Sequence, residues 1–174
     1  MSTEYNEDNL VEQATVDILA DIGWEIQTAW HNEIFGVNGN LGRENKSEVI
    51  LQKYLLVALE NLNPDLPQSV YKDAYLQIAQ READKTLDRA NKEKYELIKS
   101  GVKVSFTNDD GELTRKTLKV FDFNNPENNH FLAVRQLEVT GELYNRRPDV
   151  IGFVNGIPLV FFELKAHNRD LRHA

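Results

Sequence analysis

The sequence predicts an α/β fold, a mixed β-sheet flanked by helices, and three observations carry that expectation. Apolar residues in the first hundred positions recur at helical spacing. After Gly101 the period shortens to the alternation of strands. Near the end, two β-rich apolar runs flank Asn155-Gly156, the dipeptide with the strongest short-range preference for a hairpin.

Leu10, Ala14, Ile18 and Ile22 predict a first helix with those residues on one face and Gly23 as its stop. A second helix is predicted over 47–62, with Val49, Leu51, Leu55, Leu56 and Leu59 apolar and Asn63-Pro64 ending it. Residues 67–80 and 84–100 read as two more, the last closed by Gly101. Val102-Lys103-Val104-Ser105-Phe106 alternates as a strand, Asn108 to Gly111 turns, and Leu118-Lys119-Val120-Phe121 returns. A further strand is predicted over 131–139, ahead of the hairpin.

A chain of 174 residues fits one domain, taken as 1–174, and can bury a core. Its 41% apolar and 28% charged residues are those of an ordered globular protein. No apolar run approaches the roughly 18–20 residues that span a bilayer, so no membrane partner is expected. The polar, acidic start does not read as a signal peptide, and the lack of cysteine excludes disulfides and thiolate chemistry; both suit a cytoplasmic protein. The net charge of −8 argues against a free-standing tight DNA binder. Its distribution softens this: from Arg146 onward five Lys or Arg face three Asp or Glu, a net +2, leaving −10 on the preceding part.

The hairpin carries the chemistry. Asp149 opens its first strand, and Glu163 and Lys165 close its second on a common face, being two apart. A strict two-residue loop would pair Asp149 with Phe162 and leave the two acids on opposite faces. A three-residue loop, Val154-Asn155-Gly156 with Gly156 left-handed, would pair Asp149 with Phe161 and make Asp149 and Glu163 diagonal neighbours able to share a divalent cation. That loop is the expectation. The run Leu159-Val160-Phe161-Phe162 is expected to form a central strand covered on both sides. The bland alternative is a solvated hairpin end whose charges merely pair.

Pro148-Asp149 followed by Glu163-Leu164-Lys165 resembles the PD-(D/E)xK nuclease signature. The fuller string, Arg146-Arg147-Pro148-Asp149 through Asn155-Gly156-Ile157-Pro158-Leu159 to Glu163-Leu164-Lys165, is similar to the restriction (R) subunit of type I restriction-modification enzymes. Leu10-Val11-Glu12 leading to Ile22-Gly23-Trp24, Leu62-Asn63-Pro64, Gly101-Val102-Lys103-Val104, and Phe121-Asp122-Phe123 before Asn129-His130-Phe131 resemble the amino-terminal nuclease region of that subunit in the same order.

The resemblance implies a restriction-endonuclease type of α/β fold and a type I site-specific deoxyribonuclease that hydrolyses DNA phosphodiester bonds with Mg²⁺. Asp149 and Glu163 would bind the metal, which prefers carboxylate and water oxygens. Lys165 would orient the attacking water or stabilise charge on the phosphorus centre. The resemblance adds a backbone carbonyl ligand at Leu164, a further acid at Glu12 on the first helix, and DNA contacts at Arg146 and Arg147. It implies double-stranded DNA and the modification and specificity subunits as partners. Two departures stand out. The stretch from Gly36 to Gly42, followed by Arg43, lacks the Gly-Lys-Ser/Thr of a phosphate loop, and no Gln-x-x-x-Tyr follows Lys165. The chain therefore reads as the nuclease domain of a longer subunit, with ATP expected only for motor domains it lacks. The alternatives are another nuclease of this superfamily, or an inactive nuclease-fold module that docks partners.

Overall fold

The computed structural model describes residues 7–80, 86–108, 110–141 and 144–164. In chain order the elements are α1 (Glu7–Asp21), β1 (Glu25–Thr28), α2 (Gln52–Leu62), α3 (Gln68–Ala79), α4 (Leu87–Ser100), β2 (Val102–Thr107), β3 (Leu113–Leu118), a short 3-10 helix (Pro126–Asn128), β4 (Phe131–Arg135), β5 (Val139–Thr140), β6 (Asn145–Arg146), β7 (Val150–Val154) and β8 (Ile157–Phe162). They form an α/β fold that divides into two compact units. One comprises the chain up to Leu51 together with the part from Phe131 onward, and the other is Gln52–His130.

The first unit is built on a four-stranded mixed sheet of order β1-β4-β7-β8, in which β1 runs parallel to β4 and the other pairs are antiparallel. Helix α1 lies on it through Val16 and Leu19, which pack with Ala133 and Val150 and are bordered by Trp24, Ile26 and Phe162. Burying two such side chains contributes roughly 1.5–3 kcal/mol each. The buried stripe is thus Glu12, Val16 and Leu19, whereas Ala14, Ile18 and Ile22 face solvent. Both stripes recur at helical spacing, and only contact with the sheet decides which of them is buried. Gly23 ends the helix as expected: its φ is 92°, its N–H reaches the Ala20 carbonyl, and the Trp24 N–H reaches Leu19, satisfying two terminal carbonyls.

The hairpin turn differs from the expected three-residue loop. Val154 pairs with Ile157 across a two-residue turn, with Asn155 at φ 50° and Gly156 at φ 79°, the left-handed pair that matches strand twist. The register is then reset within the strands. Phe153 pairs with Pro158 but Gly152 with Val160, so Leu159 is an extra residue on β8 and the pairing continues to Val150 opposite Phe162. The expectation that β8 is covered on both sides is also corrected. Among the described residues it is an edge strand, and its Leu159, Val160 and Phe161 are exposed, a place that tolerates Pro158, which has no N–H to donate. The strand buried on both faces is β7, where Val150, Ile151, Gly152 and Phe153 are all inaccessible. There Gly152 makes room for Trp24, since an added Cβ would lie 2.9 Å from the indole.

Two other boundaries shift. The residues before α2 are not helical: the Leu51 N–H, expected inside a helix, donates instead to the Gly156 carbonyl at 2.8 Å and helps fix the hairpin tip. The strand expected over 131–139 breaks after Arg135, because Gln136 takes a left-handed φ of 52°.

In the second unit, α2 and α3 bury Leu55, Leu59, Val70, Tyr71 and Ile78, and β2 pairs antiparallel with β3. The return strand is the polar Leu113–Leu118 rather than 118–121, since Asn108 closes a tight turn onto Glu112 through both backbone and side chain. Asp122 follows β3 and organises a loop. It accepts the N–H groups of Asn124 and Asn125 and the Asn128 amide, and the Asn128 bond together with those N–H groups holds its carboxyl below its ordinary proton affinity.

Candidate active site

Asp149 sits one residue before β7, and its carboxylate is pinned at both oxygens. Oδ2 accepts the Leu164 N–H at 2.6 Å, and Oδ1 lies 3.4 Å from the Gln136 side-chain nitrogen. The Asp149 carbonyl accepts the Gln136 backbone N–H at 2.9 Å. Charge-assisted bonds of this kind hold a carboxylate in one orientation.

The ladder ends with Val150 opposite Phe162, one residue short of Asp149 and Glu163, and the bulge at Leu159 shifts that register by one from a plain two-residue hairpin. Glu163 is exposed where Asp149 is half-buried. Leu164 is half-buried, with its N–H on Asp149. Lys165 lies outside the described residues.

Glu12 reaches this place from α1. It is 5% exposed on the helix face that packs on the sheet, where a carboxylate is costly unless paired. Arg135 Nε donates to its Oε1 at 2.7 Å, and the Gln136 amide donates to its Oε2 at 2.8 Å. The Gln136 nitrogen therefore stands between Glu12 and Asp149, bringing those two carboxylates well within roughly a helix diameter of each other. Among the described residues, no group of three or more His, Asp or Glu side chains is arranged to hold a metal ion.

Arg146 and Arg147, just ahead of Pro148, are exposed and each rests on an aromatic ring. Arg146 lies 5.2 Å from the Tyr144 centroid and Arg147 lies 4.0 Å from that of Trp30. A guanidinium seated by its face keeps its N–H edge available to a phosphate. Sequence reasoning passed over Arg135 and Gln136. A usable signal was present for Glu12, which falls at positions i, i+4 and i+7 with Val16 and Leu19; none marked Gln136, whose role depends on a backbone break inside an apolar strand.

The family model described as type I restriction enzyme R protein N terminus matches residues 4–174. The chain is similar to the type I restriction enzyme HindI endonuclease subunit of Haemophilus influenzae, at 36% identity over 164 residues, which is 94% of this chain and 15% of that protein. It is similar also to the putative type I restriction enzyme MjaIXP endonuclease subunit of Methanocaldococcus jannaschii, at 31% identity over 173 residues, 95% of this chain and 16% of that protein. The chain thus spans about one-sixth of the length of these relatives.

Proposed function

The chain belongs to the family of type I restriction enzyme R protein amino-terminal regions, and on that premise we propose that it is the Mg²⁺-dependent DNA-cleaving domain of such a subunit. It hydrolyses phosphodiester bonds of double-stranded DNA within a restriction-modification complex whose other subunits modify and select the site. The observation that supports this reading is the Asp149 carboxylate held by the N–H of Leu164, the residue next to Glu163.

The donor set fits the cation. Asp149 and Glu163 supply hard oxygens at the open end of the hairpin, and the exposure of Glu163 leaves room for water ligands. Mg²⁺ is commonly held by one or two carboxylates, waters and substrate phosphate, so a set smaller than three acids suffices. Asp149 and Glu163 would be its side-chain ligands, and the resemblance implies the Leu164 carbonyl as a third protein ligand. Bound there, the ion would supply Lewis-acid polarisation of the scissile phosphate and a counter-charge for developing negative charge.

The chain's own residues do the rest. Leu164 and Gln136 hold Asp149 in one orientation, so it needs no reorganisation when substrate arrives. Glu12, its charge met by Arg135, anchors the Gln136 amide that also donates to Asp149. Arg146 and Arg147 engage phosphates beside the scissile one, and Lys165 orients the attacking water. Incubating the purified chain with supercoiled plasmid and Mg²⁺ should give nicked and linear products, lost on chelation and in Asp149→Ala and Lys165→Ala. Cleavage that persists in Asp149→Ala would refute these roles.

A further inference from the structure

A cavity of about 320 Å³ opens beside Gln136, with Trp30, His31, Phe35, Lys46 and Glu138 among its other walls. Gln136 thus belongs both to this cavity and to the Asp149 cluster. The aromatic surface is unusually open: Trp30 is 44% and Phe35 40% exposed. His31 stacks on Trp30 with ring centroids 4.6 Å apart, and the Arg147 guanidinium lies over the same indole. At the rim, the Lys46 ammonium is paired with the Glu138 carboxylate, setting a donor and an acceptor side by side. Glu33, another wall, has its charge met by the fully buried Arg43 at 2.7 Å. The cavity therefore combines exposed aromatic rings partly covered by His31, Arg147 and Arg43 with one polar edge and little uncompensated charge.

We propose that this cavity receives one unstacked nucleobase of the DNA strand whose phosphate is presented to Asp149, an inference that rests on the nuclease reading above. Three features point to a base. Its volume is at the small end of ligand pockets, suited to a single ring system. Exposed aromatic side chains are the platforms on which extruded bases stack, and adjacent donor and acceptor groups read a base edge. Arg147 joins the platform to the hairpin, since it rests on Trp30 and immediately precedes Pro148-Asp149. A strand drawn to Asp149 by Arg147 passes the mouth of the cavity. The shared chemistry also suits a free mononucleotide, and the test separates the two sources.

The test uses the 174-residue chain with Ca²⁺ in place of Mg²⁺ and a short duplex carrying 2-aminopurine in a mismatch. The expected result is a change in 2-aminopurine fluorescence on binding, with Trp30→Ala and Phe35→Ala each weakening affinity roughly tenfold or more. Trp30→Phe keeps an aromatic face and should restore most of that loss, which keeps the test decisive if the alanine variant folds poorly. Free deoxyadenosine monophosphate should compete only far above the concentration of duplex. The proposal is overturned if the duplex binds without a fluorescence change, if it does not bind, if the Trp30 and Phe35 variants bind as the parent does, or if the mononucleotide competes equally well. The nuclease reading fails separately. Plasmid cleavage with Mg²⁺ is read on the same parent protein, so a base signal without any cleavage would count against catalysis and not against the pocket.

Discussion

The two strands of the hairpin have nearly the same composition and opposite fates. β7, Val-Ile-Gly-Phe-Val, is buried on both faces between β4 and β8, whereas β8, with Leu159, Val160, Phe161 and Phe162, lies at the edge of the sheet with its middle three residues exposed. Apolar content fixes neither result; position in the sheet does. The difference carries into the site. The acid at the head of the buried strand is half-buried and held by Leu164 and Gln136, while the acid that follows the edge strand is exposed. One carboxylate is built into the fold, and the other is presented from it.

The sharpest way to break this comparison is to remove the same side chain from each strand. Phe153→Ala should cost about 3–5 kcal/mol, because Phe153 is 1% exposed and leaves a cavity. Phe161→Ala should change stability by only about 0.5 kcal/mol, since Phe161 is 63% exposed. Equal losses in urea denaturation would mean that β8 is covered after all.

Next in size is Gly152→Ala. The added methyl meets the Trp24 ring and the Val160 Cβ, and overpacking of this kind costs about 1–3 kcal/mol. A shift in tryptophan fluorescence should accompany it, and an unchanged midpoint would show that Trp24 moves freely.

Asp149→Ala should lose about 1–2 kcal/mol, as the Leu164 N–H and the Gln136 amide lose their acceptor. Glu163→Ala should fall within about 0.5 kcal/mol of the parent. Thermal denaturation without metal checks the pair; a larger loss for Glu163 would reverse the contrast between built-in and presented acids.

The smallest effect lies away from the hairpin and serves as its control. Asp122 has its proton affinity lowered by Asn128 and by backbone N–H groups, so the stability it lends is complete above the ordinary carboxyl value of 3.8 and is lost as pH falls through its lower folded value. Asp122→Asn should flatten that acid limb and lower stability at neutral pH, where the contribution of the ionised carboxylate is complete. A variant with the same acid limb as the parent would assign the acid loss to other carboxylates.

Much of the fold was legible because its signals are local. Gly23 and Gly101 stop helices with left-handed φ, and Asn155-Gly156 turns the hairpin, each through chemistry contained in a few residues. What escaped depends on contacts distant in sequence. The buried side of α1 is decided by Ala133 and Val150, more than a hundred residues away. Strand β1 is short and polar and exists through parallel pairing with β4. The edge position of β8 follows from sheet order, and the Leu159 bulge from a register that no dipeptide encodes. The same holds for the site. Asp149, Glu163 and Lys165 stand in a motif that can be read along the chain, whereas Gln136 acts through a backbone break and through Glu12, 124 positions earlier.

Calorimetric titration of Mg²⁺ into the parent chain, Asp149→Ala and Lys165→Ala tests the proposed metal site most directly. A binding heat is expected in the parent, with its disappearance in Asp149→Ala and its near-complete retention in Lys165→Ala. Identical Mg²⁺ binding by the parent and Asp149→Ala would contradict it.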